Sequence, residues 1–471
     1  MQKFDVPLQQ ATTSSLEALK AYSLGLRAHQ QKGPTAALPY DQRAIELDPN
    51  FAMGYFAVGA DYNNLDEAGR ASQYFSKAFQ LRDHASERER LEITANYYGA
   101  VTGELDKTTQ TAQELIEDYP REPSGYTDLS AVFTSQGQYE KALEIARQVV
   151  RLAPDDANWY VNLAYDMLAL QRFDETRQVI HEAYARKLQH YGMHQQLYIM
   201  AFLAADSPAM TEEQQWFADQ PEENFGLELA SDTEAYAGHL SKALGLTKRA
   251  VGSAIRADNK ENGAIWQGNA ALREAAYGNA AEARQSAAEA LKLVPASQGA
   301  EAEAALAFAM AGDTARAESL AQDLGKRFLL DTQMQSLWRP AIEAQLALNR
   351  KNPASALNAL QAASPIELAQ ISFGNIPSCL YHVYLRGQAY LEAGQGGAAA
   401  AEFQKILDHS GIVWNCWTGA LARLGLARAY AIQGDTAKAK AAYQDFLTLW
   451  KDADPDIPIL KQAKVEYAKL Q

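Results

Sequence analysis

The stretch Ala52–Asp83, AMGYFAVGADYNNLDEAGRASQYFSKAFQLRD, decides the fold. With Ala52 as position 1, Tyr55 falls at 4, Val58 at 7, Gly59 at 8, Tyr62 at 11, Ala71 at 20, Phe75 at 24 and Ala78 at 27. Two antiparallel helices pack closely only where small side chains let their backbones approach. Gly59, Ala71 and Ala78 supply the small side chains, and the aromatics supply the bulk between the helices.

The same register returns from Pro123, with Tyr126, Leu129, Ser130, Phe133, Ala142, Val149 and Pro154, and again 34 residues later with Tyr160, Leu163, Ala164 and Ala183. This pattern resembles the tetratricopeptide repeat, and Ala52–Asp83 departs from it only at position 32, where Asp83 replaces the usual Pro. Position 20 is occupied by Ala37, Ala71, Ala142, Thr176, Ala243, Ala283, Ala317, Ala356, Ala399 and Ala439. The wider gaps after Ala71 and Thr176 leave room for degenerate copies in Glu89–Pro120 and around residues 190–220. The expectation is therefore an all-α fold: a right-handed α-α superhelix of about twelve helical hairpins with a C-terminal capping helix. Residues 1–14 read as a linker, 15–456 as the solenoid (regular over 15–188, degenerate over 189–222, longer in period over 223–456), and 457–471 as the cap. Gly137, Gly278, Gly312, Gly394 and Gly434 fall at the turns within hairpins. The run Gly394-Gln395-Gly396-Gly397 is read as such a turn, because no strand precedes it and no Gly-Lys-Ser/Thr follows.

Composition narrows the function. The chain has 471 residues, 47% hydrophobic and 21% charged, with a net charge of −15. An acidic surface repels phosphate backbones and anionic lipid, so nucleic-acid binding by this chain is not expected. No apolar stretch approaches the roughly 18 to 20 residues that cross a bilayer, and residues 1–7 have no secretory apolar core. Cytoplasm and the outer side of a membrane both remain open. Cys379 and Cys416 read as two ordinary thiols at the starts of neighbouring repeats, with an expected Cα separation beyond the roughly 7 Å that a disulfide spans. Pairing stays open for a chain that lives outside the cytoplasm.

Neither a Gly-x-Ser-x-Gly, a His-Glu-x-x-His, a phosphate-binding loop nor a kinase signature occurs, so no catalytic residue, cofactor or metal site is assigned. His190 and His194 are four apart on an expected helix but have no third ligand nearby. Most aromatics sit at packing positions 4, 11 and 24; Trp414 and Trp417 have no assigned role. The face left for function is the concave one, lined by positions such as 2, 5, 9 and 12 of each first helix. Thr127, Asn158, Asn162, Tyr165, Tyr384 and Gln388 are the candidate ligand-binding residues, a mix of hydroxyl, amide and phenol groups suited to a peptide backbone. The carboxylate clamp of chaperone-binding repeats is absent there, because Thr127 and Ala131 stand where Lys and Asn are needed. With the acidic balance, a neutral or basic segment of a protein is the expected visitor; a sensor for a small molecule or cell-wall ligand is the alternative.

Further segments carry a second resemblance. Gln2–Pro7, Thr12–Gly25, Ala44–Phe51, Tyr97–Lys107 and Tyr384–Leu391 are similar to the region that follows the catalytic domain in bacterial serine/threonine protein kinases with C-terminal tetratricopeptide repeats. That resemblance implies a preceding kinase, often one membrane helix, and this solenoid as a sensing or docking arm. Similar repeats also follow the output domains of bacterial transcriptional regulators. These 471 residues hold neither the kinase motifs nor the helix, and Asp41 replaces the aromatic at position 24 of the first repeat.

Overall fold

The computed structural model describes residues 13–218, 220–373 and 378–470, so most of the expected linker, residues 1–12, lies outside the described residues. The described residues are all-helical, 79% helix without a strand. They form twelve successive helical hairpins, from Leu16–Lys32 with Pro34–Leu47 to Trp417–Ile432 with Thr436–Leu449, followed by a final helix, Pro458–Ala468. The two degenerate copies form complete hairpins: Glu87–Asn96 with Leu105–Asp118, and Tyr191–Leu203 with Ser207–Phe217.

The sequence register explains the packing. A Cβ on Gly59 would lie 2.8 Å from the Phe75 ring, and one on Gly387 2.7 Å from Phe403, so in these two repeats the ring at position 24 fills the space over a bare position 8. In the first hairpin the Asp41 carboxyl occupies that place against Gly25. Asp41 is buried there and hydrogen-bonded to Asp61, and burial pushes its carboxyl up to about 9. A second regularity joins the helices of a hairpin: the position-11 ring lies beneath a cation at position 19. Arg70 lies 5.1 Å from the Tyr62 centroid, Lys141 5.5 Å from Phe133, Arg316 4.0 Å from Phe308 and Lys438 5.6 Å from Tyr430. Gly394 adopts φ 71° in its turn, which fits the turn reading of the glycine run; Gln171 takes φ 58° at the equivalent place, where a side chain strains the backbone.

The chain divides into two compact units. Unit 1 comprises the residues up to Met167, Arg172–Met193 and Leu330–Thr332; unit 2 comprises Leu168–Gln171, His194–Leu329 and Gln333 onward. Within unit 1, Asn158 of the fifth hairpin meets His29 of the first at 3.0 Å, and the Tyr191 hydroxyl donates to the Asn64 carbonyl at 2.9 Å. Within unit 2, the last hairpin returns to the seventh. Asn415 Nδ2 donates to the Leu229 carbonyl at 2.8 Å, Trp450 Nε1 to the Tyr236 carbonyl at 2.9 Å, and the Ser241 amide and hydroxyl to Asp454, each at 2.7 Å. The final helix buries Leu460 and Ala463. Its Glu466 pairs with Arg428 at 2.9 Å and accepts from the Tyr443 hydroxyl at 3.0 Å.

The cysteine reading is overturned: Cys379 and Cys416 form a disulfide with Cα atoms 5.6 Å apart. Each cysteine lies in the segment leading into a first helix, Tyr381–Glu392 or Trp417–Ile432, and those two starts are side by side. The Thr418 hydroxyl donates to the Cys379 carbonyl at 2.8 Å and fixes the approach. The neighbouring tryptophans are core residues. Trp414 bonds the Gly411 carbonyl at 2.9 Å, and Trp417 stacks on Tyr381 with centroids 5.7 Å apart.

Candidate functional site

In unit 1 the inner sides of the first helices carry carboxyl groups with few cations. His29 Nδ1 lies 2.7 Å from Asp61 and its Nε2 faces Asn158. Burial works against the imidazolium, but the bond and charge of Asp61 outweigh it and His29 is raised. Three hairpins on, the Thr134 hydroxyl donates to Asp166 at 2.8 Å, and burial pushes Asp166 up to about 8 against that bond. Both bonds join position 12 of one first helix to position 10 of the next. Farther along the same side, Asp128 accepts from Asn96 Nδ2 at 3.1 Å through one oxygen, while its other oxygen is buried with no hydrogen-bond partner. Burial, reinforced by the charge of Glu92, raises Asp128 well above the carboxylate range. Glu92 itself is pushed by burial to about 7, although Arg88 lies 3.2 Å away. Asp128 and Asn162 occupy the same position in consecutive repeats, 34 residues apart.

In unit 2 the equivalent side is a closed polar core. Arg273, 1% exposed, bonds Asp232 at 2.5 Å and Thr247 at 2.7 Å, with Glu228 3.7 Å away. Asn269 Nδ2 bridges Glu228 at 2.8 Å and Asp232 at 2.9 Å. Burial, with the Asp232 charge, pushes Glu228 up to about 8 despite Arg273. Glu303 is fully buried against Gly268, where a Cβ would sit 2.6 Å from its oxygen. Beside it lies a cavity of about 20 Å³ walled by Glu303, Trp338, Tyr381, His382 and Cys379, room for one water. Burial drives His382 down to about 4, so it is neutral, and its Nε2 bonds the Glu367 carbonyl at 2.8 Å.

The six candidate residues fall into three groups. Asn162 is exposed, Thr127 and Gln388 are half-buried, and Asn158, Tyr165 and Tyr384 are buried. Thr127 bonds the Pro123 carbonyl of its own helix at 3.0 Å. Asn158 is held by His29 and by Asp156, and Tyr384 packs edge-on against Phe403 and Trp417. Thr127, Asn158, Asn162 and Tyr165 belong to unit 1, Tyr384 and Gln388 to unit 2. Asn158, Tyr165 and Tyr384 are therefore turned into the packing of their own units, while Thr127, Asn162 and Gln388 keep some access to solvent. Sequence reading passed over Asp61, Asp128, Asp166, Glu228 and Arg273. Their signal was an acid or arginine embedded in a run of small and apolar residues. His190 accepts from the Gly192 amide at 3.0 Å, while His194 pairs with Glu213 at 2.7 Å and stacks on Trp216. No three His, Cys, Asp or Glu side chains among the described residues gather as a metal site, and no described helix is long and apolar enough to cross a membrane.

The tetratricopeptide-repeat family model matches residues 123–156, the fourth hairpin and the turn that leads to the fifth. The human mitochondrial import receptor subunit TOM70 is 29% identical over 137 residues, which is 28% of this chain and 22% of that protein. The match thus spans less than a quarter of that relative's length. Photosystem I assembly protein Ycf3 of Rippkaea orientalis (strain PCC 8801 / RF-1) is 24% identical over 140 residues, 26% of this chain and 78% of that protein. Among solved structures, the human IFIT1 dimer with m7Gppp-AAAA overlaps 93% of this chain and 91% of its own at 14% identity and a TM-score of 0.40. Yeast Tom70 overlaps 96% and 95% at 13% identity and a TM-score of 0.29. The 34-residue register, the succession of paired helices and the family match to the fourth hairpin agree: residues 123–156 are a tetratricopeptide repeat, set in a succession of similar helical hairpins.

Proposed function

We propose that the chain is a non-catalytic docking scaffold that takes a neutral or basic segment of a protein partner along the inner side of unit 1. The observation that carries this reading is the Asp128 carboxyl: half-buried, raised in pKa, with one oxygen unpartnered and Glu92 beside it. A lysine or arginine side chain would supply the missing counter-charge, and Thr127 and Asn162 stand next to it in the register for a peptide backbone. The net charge of −15 acts in the same direction at longer range. The names of the relatives, an import receptor subunit and an assembly protein, are those of proteins that engage other proteins.

An array of immobilised peptides graded from acidic to basic tests the reading. Salt-sensitive capture of neutral and basic peptides is expected. Retention of acidic peptides alone, or a melting shift with soluble small molecules and no peptide capture, would favour the ligand-sensor alternative. Hydrolysis of ATP by the purified chain would contradict the non-catalytic reading. A finer placement, as the sensing or docking arm of a bacterial serine/threonine kinase, is supported by the resemblance of residues 2–7, 12–25, 44–51, 97–107 and 384–391 alone. The reading frame upstream of Gln2 tests it: a kinase domain there supports the placement, and a different output domain replaces it.

A further inference from the structure

We infer that this chain folds and works in an oxidising compartment outside the cytoplasm, where the Cys379–Cys416 bridge staples the eleventh and twelfth hairpins of unit 2. The chain has two cysteines, and both are spent in this bridge. Cysteines kept for redox sensing or catalysis stand exposed beside groups that lower the thiol pKa. These two are 3% and 1% exposed, and no described cluster of His, Cys, Asp or Glu offers them a metal. A bridge so enclosed is out of reach of an attacking thiolate in the folded chain, so it is a permanent crosslink rather than a reversible one. Permanent crosslinks of this kind form and persist where the environment is oxidising and are rare in reducing cytosol.

The bridge also has structural work to do. Tyr381 follows Cys379 by two residues and Trp417 directly follows Cys416; their rings stack at 5.7 Å, and Tyr384 meets Trp417 edge-on at 5.2 Å. Cys379 and Tyr381 line the cavity beside Glu303. The staple thus fixes two of the first helices that enclose the polar core, across a sequence separation of 37 residues. Its formation takes two electrons and two protons from the paired thiols. A disulfide-bearing oxidant accepts both and leaves as a dithiol. The inference is independent of what unit 1 binds.

Thiol trapping in the cells that make the protein tests the compartment. Cells are lysed into excess maleimide, the full chain is unfolded, and labelled cysteines are located by mass spectrometry in cytoplasmic and extracytoplasmic fractions. The expected result is chain in the extracytoplasmic fraction with neither Cys379 nor Cys416 labelled until a reductant is added. Chain in the cytoplasmic fraction with both cysteines labelled would overturn the inference. Thermal unfolding of the purified chain tests the staple: the C379S/C416S variant should melt about 5–15 °C lower, with altered Trp417 fluorescence. A variant that melts and fluoresces like the oxidised chain would remove the staple from the account. If the double variant does not fold, the labelling result stands on its own, since it uses the natural chain.

Discussion

The two units carry the same repeat grammar but neutralise their buried carboxyl groups differently. In unit 1 two buried acids are met by a proton or a neutral donor: Asp41 at about 9 hydrogen-bonds Asp61, and Asp166 at about 8 accepts from Thr134, while Asp61 and Glu92 also have His29 and Arg88 beside them. In unit 2 the partner is a guanidinium, with Arg273 set between Asp232 and Glu228. The devices that tie each unit together differ in the same way. Unit 1 joins its first and fifth hairpins through His29 and Asn158, whereas unit 2 uses a disulfide and a set of bonds from Asn415, Trp450 and Asp454. The lesson is that a superhelix that folds its inner face away from water pairs the acids there by different devices in its two units and leaves some polar atoms unpaired in both. In unit 2 Arg273 and Asn269 tie Asp232 and Glu228 together, while Glu228 Oε2, Asn269 Oδ1 and Arg273 Nε stay buried without a hydrogen-bond partner. In unit 1 one Asp128 oxygen is likewise buried without a hydrogen-bond partner, and in the proposed docking a partner's cation pairs with it.

The largest effect should come from breaking the pair in unit 2. Replacing Arg273 with Met strands two buried acids and is expected to cost about 3–5 kcal/mol, read as loss or early melting of the unit 2 transition in denaturant. Next is the pH dependence. Asp41, Asp61, Glu92, Asp128 and Asp166 in unit 1, against Glu228 and Glu274 in unit 2, all have folded pKa values raised by burial. A raised carboxyl binds its proton more tightly when folded, so its contribution is fully present below the unfolded value of about 4 and is lost as pH rises through the folded one. Unit 1 should therefore lose more stability than unit 2 between pH 5 and 9. Asp166→Asn should remove about 1.4 kcal/mol per pH unit of that slope up to about pH 8, as measured by denaturation at several pH values. A steeper loss in unit 2 would break the comparison.

Asn158→Ala should cost about 1–2 kcal/mol by leaving His29 without its second partner, and the cost should fall on unit 1 alone. The smallest effect on stability belongs to Asn162→Ala. An exposed side chain should change it by less than about 0.5 kcal/mol, yet weaken peptide binding measurably in a titration.

The hairpin succession was legible because close helix packing demands small and aromatic residues at fixed spacings, so even the hairpins at 87–118 and 191–217 could be placed from the gaps between clear copies. Asp41 was legible as an anomaly, and its burial against Gly25 shows what the anomaly does. What could not be read was the consequence of curvature. Register says that Asn158, Tyr165 and Tyr384 point inward. Whether the inside reaches water depends on small rotations summed over five or six hairpins. Contacts such as His29 with Asn158, 129 residues apart, are the result of that sum. The disulfide escaped for a related reason: a repeat period predicts the spacing of helices, but not the extended approach that brings Cys379 to Cys416.

The central claim is that unit 1 offers a docking face completed by a partner's positive charge. Titrating the full chain with a labelled lysine-containing peptide and its glutamate-substituted twin, at low and high salt, tests it most directly. The account predicts saturable binding of the lysine peptide that weakens with salt, at least tenfold weaker binding of the glutamate twin, and loss of the difference in Asp128→Asn. Equal affinity for both peptides, or a preference unchanged by Asp128→Asn, would contradict it.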